Sequence, residues 1–225
     1  MTLICGVDEA GRGPLIGPMV MAGVLIKDTD ETKLKSIGVK DSKLLTHEQR
    51  ESMFERIKEA VKEFYIVIVP SSEVDDAVFG KDNLNLNRLE AKKTAEILNR
   101  LKPQIAYIDC PSTNTKAYNE LLKGQLKFPI KKLITEHKAD QNYAVASAAS
   151  ILAKVTRDRE IEKIKDSLGV DFGSGYMSDP KTAEFLKKHH STYKEIFRQS
   201  WAPYQKIAQT KHQKNLSDFS QYLKK

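Results

Sequence analysis

Cysteine is scarce: the chain has two, Cys5 and Cys110, too few for a disulfide framework, and no His-Cys cluster at zinc spacing accompanies them. Both stand beside predicted strand residues, where a buried, unpaired thiol in a reducing compartment is the simplest reading. Glycine and proline are not enriched, at 11 and 8 residues, while 40% of the chain is hydrophobic and 30% charged, which excludes a disordered or collagen-like polymer. Long apolar runs are missing, so no segment is expected to span a bilayer. The short apolar stretch from Met1 to Val7 meets an acid at Asp8 and has no basic leader, so it reads as a strand and not as a signal peptide. A cytoplasmic location is expected. Internal repeats and low-complexity tracts are likewise missing, and 225 residues suffice for one substantial core with an appendage.

The charge that is present is unevenly placed. The whole net charge of +7 falls between Lys181 and Lys225, since the basic and acidic residues before that segment cancel. A basic segment beside a neutral domain suits contact with a phosphate backbone, although a solvated helical surface has the same composition.

Five short segments rich in β-branched, aromatic or other apolar residues predict strands: Leu3–Val7, Met19–Ile26, Tyr65–Val69, Ile105–Ile108 and Lys132–Glu136. The first lacks alternation, as a central strand covered on both faces would. Thr46-His47-Glu48-Gln49 forms a capping box, after which Met53, Ile57, Ala60, Val61 and Phe64 keep helical spacing. A second helix is predicted from Leu86 to Leu101, ending near Pro103, and a third over Ala144–Lys165, whose alanines let it lie close to a sheet. The pattern predicts a mixed α/β sheet flanked by helices, then a helical C-terminal part. Gly169–Pro180 reads as a connecting loop with a function.

The first strand delivers Asp8 and Glu9, and the fourth delivers Asp109, to where the chain is expected to leave the sheet. A single acid there would simply start a turn, and Asp140, just ahead of the third helix, would serve as a cap. Together they point elsewhere. Ligands gather at strand ends in open α/β sheets, and clustered carboxylates repel one another until cations neutralise them. Hard divalent ions such as Mg²⁺ suit that donor set, and two of them roughly 4 Å apart can serve phosphodiester hydrolysis.

Gly6-Val7-Asp8-Glu9-Ala10-Gly11-Arg12-Gly13-Pro14, with Ile16-Gly17-Pro18, resembles the opening of the type 2 ribonucleases H, the ribonuclease HII family, in its archaeal form. Asp41-Ser42-Lys43-Leu44, Tyr107-Ile108-Asp109, Glu136-His137-Lys138-Ala139-Asp140, the stretch Ser147 to Asp158 and Gly173-Ser174-Gly175-Tyr176 extend the resemblance through most of the chain. The resemblance implies a ribonuclease H-like fold, with a mixed five-stranded sheet. A catalytic domain over residues 1–157, a helical substrate-binding part over 158–212 and a tail over 213–225 are expected. By the same resemblance Asp8, Glu9, Asp109 and Asp140 are the catalytic and metal-binding residues, with Mg²⁺ or Mn²⁺ as cofactor. The expected substrates are RNA/DNA hybrids and duplex DNA containing ribonucleotides, cut to 3′-hydroxyl and 5′-phosphate ends. Gly11, Arg12 and Gly13 are expected to contact the ribose 2′-hydroxyl, and Tyr176 to pack on the following deoxyribose, so that the pair reads an RNA-to-DNA junction. The sequence departs from the family at Met177, where proline is usual and would restrict Tyr176 toward an extended shape.

Ser42 and Lys43 are further phosphate-contact candidates, with Asn85 and Asn87 behind them; each is equally a solvated loop or helix residue. His189 and His190, among lysines without acids at ligand spacing, read as surface residues. In the tail, Gln213, Leu216 and Phe219 follow the order of the short motif that binds the sliding clamp PCNA, with Ser220 where a second aromatic is usual. Leu216, Phe219 and Leu223 would share one face of a helical turn, which fits either a groove on the clamp or the protein's own helical part. A monomer is expected. Two other functions share parts of this pattern: a different two-metal nuclease or strand-transfer enzyme on the same fold, and an inert nucleic-acid-binding module in which the acids are caps and turns.

Overall fold

The computed structural model describes residues 1–39 and 46–209. Ser42, Lys43, Gln213, Leu216 and Phe219 lie outside the described residues. The five expected strands are present as β1 (Leu3–Ala10), β2 (Met19–Lys27), β3 (Glu63–Val69), β4 (Ile105–Asp109) and β5 (Lys132–Glu136). They form one sheet in the order β3-β2-β1-β4-β5, antiparallel from β3 to β1 and parallel from β1 to β5. β1 is therefore central, which is why its apolar residues run without alternation.

Helices cover both faces. On one, Cys5 and Val7 of β1 pack with Leu89, Ile97 and Leu98 of α4 (Leu86–Leu101) and with Tyr118 and Leu122 of α5 (Thr115–Lys123). Val74 and Ala77 of α3 (Ser71–Val78) join the same cluster. On the other face, Ile4, Val20, Val24 and Ile26 meet Leu34 of α1 (Glu31–Ile37), Met53, Phe54 and Ile57 of α2 (His47–Ala60), and the long helix α7 (Ala144–Leu168). Both cysteines are buried and free.

α2 begins with the expected capping box: Gln49 N donates to Thr46 Oγ1 at 3.2 Å, and Thr46 N donates to Gln49 Oε1 at 2.9 Å. It stops at Ala60, where Val61 turns to extended backbone. Phe64, expected on this helix, instead belongs to β3 and pairs with Val24, because ladder bonding to β2 outweighs its helical spacing. α7 owes its closeness to the sheet to Gly6. A Cβ there would sit 2.3 Å from Ala146 N and from Val145 C, so the strand accepts only hydrogen at that place.

α7 runs unbroken through residues 157 and 158, where the sequence suggested a boundary, and carries Ile161 into a third apolar cluster. That cluster joins Leu15 and Ile16 of the β1–β2 connection to Phe172, to Phe185 and Leu186 of α8 (Pro180–His189), and to Ile196, Phe197 and Tyr204. His190 does not face solvent as expected. It is 4% exposed, set edge-on to Tyr204 6.3 Å away, because the end of α8 turns into this cluster. Several C-terminal cations form surface ion pairs, Lys181 with Asp171 at 2.7 Å and Lys188 with Glu184 at 2.6 Å. Among the described residues no helix is long and apolar enough to cross a membrane.

Candidate active site

β1 does not end at Val7. It continues to Ala10, so Asp8 and Glu9 are strand residues paired with Ala22 and Met21 of β2 and cannot be turn starters. Alternation sends them to opposite faces. Asp8 shares the face of Ile4 and Gly6, beneath α7, where the nearby Ser150 hydroxyl favours its ionised form and Glu9 N donates to Oδ1 at 2.7 Å. Glu9 looks toward α4. Asp109 closes the parallel neighbour β4, and its Oδ1 accepts from Ala139 N at 3.0 Å, which ties it to the segment carrying Asp140. Asp140 lies in the short helix α6 (Ala139–Asn142). It is not the cap of α7, since Tyr143 holds that position without a side-chain cap bond.

The electrostatics follow from this crowding. Burial, then Asp109 and Asp140, push the Asp8 carboxyl up to about 7, against the help of Ser150. Glu9 is raised well above the usual range by burial and by Glu90, Asp8 and Asp109, with Arg12 opposing. Asp109 is raised by burial and by Asp140. One cavity of about 450 Å³ is lined by Asp8, Glu9 and Asp109 together with Gly11, Arg12, Gly13 and Tyr176. Asp140 acts on it through charge but is not part of its wall.

Among the described residues, no three His, Cys, Asp or Glu side chains are drawn tightly enough together to hold an ion as they stand. The chemistry of the set nonetheless fits a hard divalent cation. All donors are carboxylate oxygens, with Asp8 buried and Glu9, Asp109 and Asp140 partly buried near like charges, a condition that added positive charge relieves.

The Gly11-Arg12-Gly13 loop forms the start of the β1–β2 connection. Gly11 has φ 76°, open to glycine but strained for other residues, and a Cβ on it would meet Pro18 O at 2.8 Å. The Arg12 side chain turns toward α4, where Nε donates to Glu90 Oε1 at 2.7 Å and Nη2 to Asn87 Oδ1 at 3.3 Å. Asn85 is the N-cap of α4, accepting from Arg88 N at 2.9 Å, and does not line the cavity.

Tyr176 is 38% exposed and packs its ring 5.0 Å from the Arg157 guanidinium. Its loop is held without a following proline. Gly175 O accepts from Leu15 N at 2.8 Å and from Ile16 N at 3.2 Å, Gly175 N donates to Thr182 Oγ1 at 3.0 Å, and Arg157 Nη2 donates to Ser174 O at 2.8 Å. These bonds restrain the two residues that precede Tyr176.

Sequence reasoning missed several residues. Ser150, Lys154 and Arg157 line the cavity from α7. Their signal was readable as polar residues at i, i+4 and i+7 in an otherwise small and aliphatic helix. Arg50 of α2 joins them. Glu90 is fully buried, raised to about 7 by burial against the pull of Arg12, and its Oε2 has no partner. Its signal was an acid seven residues before Ile97, on the apolar stripe of α4.

The ribonuclease HII family profile matches residues 5–204. The chain belongs to the ribonuclease HII family. It is thus a hydrolase, an endonuclease acting on RNA. Over 226 residues it is 42% identical to ribonuclease HII of Pyrococcus horikoshii, covering 98% of this chain and 99% of that protein. The crystal structure of ribonuclease H2 from P. horikoshii OT3 matches with a TM-score of 0.84 and 43% identity, over 92% of this chain and 98% of that one. A second solved relative, in the PCNA:RNase HII complex from Archaeoglobus fulgidus, has a TM-score of 0.74 and 42% identity over 82% of this chain and 85% of that one. Bst-RNase HIII in complex with Mn²⁺ shares the fold, with a TM-score of 0.79 at 19% identity over 93% of this chain and 70% of that one. Family membership removes both alternative functions, the strand-transfer enzyme and the inert binding module.

Proposed function

We propose that the protein hydrolyses the RNA strand of RNA/DNA hybrids, and duplex DNA at embedded ribonucleotides, with two divalent ions, leaving 3′-hydroxyl and 5′-phosphate ends. The observation that carries this reading is the meeting of Asp8, Glu9 and Asp109 in the same cavity as Gly11, Arg12, Gly13 and Tyr176. Asp8, Glu9, Asp109 and Asp140 would hold Mg²⁺ or Mn²⁺. Such ions supply positive charge against the developing negative charge of the phosphodiester, and acidity to an attacking water. The chain's own side chains do the rest. Lys154 and Arg157 add positive charge to the cavity wall beside the carboxylates, suited to a phosphate of the bound strand.

Recognition divides between two loops. The backbone of Gly11, Arg12 and Gly13 approaches the ribose 2′-hydroxyl, and the exposed face of Tyr176, backed by Arg157, packs against the next sugar. Arg12 serves through its backbone, because its guanidinium is committed to Glu90 and Asn87. Ser42 and Lys43 remain phosphate-contact candidates. Asn85 is a weaker one, since its side chain already caps α4. The tail residues Gln213, Leu216 and Phe219 are proposed to bind a PCNA clamp, a reading supported by the complex of the A. fulgidus relative.

The test is a labelled RNA/DNA hybrid, single-stranded RNA and double-stranded DNA, each incubated with and without Mg²⁺ or Mn²⁺, with the product ends analysed. Metal-dependent cleavage confined to the hybrid, with 5′-phosphate products, is the expected result. Cleavage of single-stranded RNA at the same rate, or cleavage in chelator, would overturn the proposal.

A further inference from the structure

Arg198 heads the largest side chains withdrawn from solvent, with 0% exposure. A buried guanidinium is tolerable only when its N–H groups find acceptors. Here they are backbone carbonyls of the β1–β2 connection. Nη2 donates to Gly11 O and, at 3.2 Å, to Gly17 O; Nη1 donates to Arg12 O at 2.6 Å; Nε donates to Gly17 O at 3.3 Å.

The segment that carries Arg198 is itself anchored. Arg198 N donates to Leu15 O at 2.8 Å, and the buried Asp75 of α3 accepts from Gln199 N at 2.8 Å, Ser200 N at 2.9 Å and Ser200 Oγ at 2.5 Å. Trp201 stacks 4.9 Å from the guanidinium and donates its Nε1–H to Gly13 O at 3.1 Å. All three carbonyls of the Gly11-Arg12-Gly13 loop are thereby held by one short C-terminal segment.

Peptide geometry gives the consequence. In a trans peptide the C=O of one residue and the N–H of the next point in opposite directions, and the chain has no cis bonds among its described residues. Drawing the carbonyls of Gly11 and Arg12 onto one guanidinium turns the N–H groups of Arg12 and Gly13 away from it, and both residues line the cavity. Two adjacent amides so directed form a small receptor for an oxygen lone pair.

We propose that Arg198 is a positioning residue for ribonucleotide recognition, which aims the amides of Arg12 and Gly13 at the ribose 2′-hydroxyl by holding the carbonyls behind them. The inference rests on the loop reading given under the proposed function and adds that a residue of the C-terminal part sets the specificity of the loop. Lysine cannot replace arginine here, because a single ammonium does not span three carbonyls as the planar fork does.

The test compares the affinities of a duplex holding one ribonucleotide and of the all-DNA duplex of the same sequence, by fluorescence anisotropy, in an Asp109→Asn background that prevents turnover. Arg198→Lys is expected to lower the ratio of the two affinities about tenfold, by disrupting several charge-assisted bonds. If Arg198→Lys does not fold by circular dichroism, Arg198→Gln, whose side-chain amide keeps two N–H donors, decides in its place. A parent that does not discriminate between the duplexes overturns the loop reading and this inference with it. A parent that discriminates, with variants that keep its ratio or weaken both duplexes equally, overturns only the role given to Arg198.

Discussion

Gly6→Ala puts one methyl group between the central strand and the helix that covers the carboxylates. The added Cβ would meet Ala146 N and Val145 C at 2.3 Å and Val145 O at 2.4 Å, where ordinary contact needs 3.4–4 Å. The obstruction is backbone, so no side-chain rotamer relieves it, and α7 must move by about an ångström relative to β1. Overpacking in a core costs about 1–3 kcal/mol when side chains can yield, so a cost of about 3 kcal/mol or more is expected here. For a chain of this size that corresponds to a fall in Tm of about 6–12 °C. Because Ser150, Lys154 and Arg157 of α7 line the cavity with Asp8, the shift also disturbs the site, and hybrid cleavage should drop even well below the new Tm.

Gly13→Ala is the control, since a Cβ there meets nothing within 4 Å and its stability should stay within about 0.5 kcal/mol of the parent. Thermal and urea unfolding of the three proteins, with cleavage rates of the parent and Gly6→Ala at one low temperature, make the comparison. A Gly6→Ala protein within about 1 kcal/mol of the parent would refute the argument that close approach of α7 fixes this glycine.

Asp109→Asn should abolish hybrid cleavage while leaving hybrid affinity within a few-fold of the parent, as the change keeps shape and removes charge; equal loss of binding and cleavage in titrations and rate assays would count against a metal-holding role. Tyr176→Ala should slow cleavage at an RNA-to-DNA junction about tenfold or more with little effect on salt-dependent DNA binding, in line with the loss of one stacking contact; an unchanged junction rate removes Tyr176 from the site. In chelator, Asp8 and Glu90, each raised to about 7, keep protons in the native state that the unfolded chain has already released. Stability of the metal-free protein should therefore fall as pH rises from about 4 to 7, so Tm at pH 5 exceeds Tm at pH 8, and added Mg²⁺ narrows the gap; a flat profile in EDTA speaks against carboxylate crowding. Leu216→Ala with Phe219→Ala should eliminate clamp binding in calorimetry with Tm nearly unchanged, whereas a lowered Tm and no binding by the parent would mean that the tail docks on its own protein.

The five strands, the capping box at Thr46 and the three helices first expected could be read from the sequence because each depends on local order: apolar runs, a Thr and a Gln three residues apart, alanines at helical spacing. The carboxylates were legible for a related reason, since two apolar strands delivering acids is a pattern within short stretches of chain. What the tertiary structure alone decided is where charge is buried and what receives it. Glu90 sits on an apolar stripe because Arg12 of a distant loop meets it at 2.7 Å. His190 is inside because α8 turns its end into the third cluster. Arg198 lies 187 residues from Gly11, whose carbonyl it holds, and no period or motif in the chain links the two. A side chain's hydrogen-bonding capacity is fixed by its type, but whether burying it is tolerable depends on acceptors that only the folded chain brings within reach.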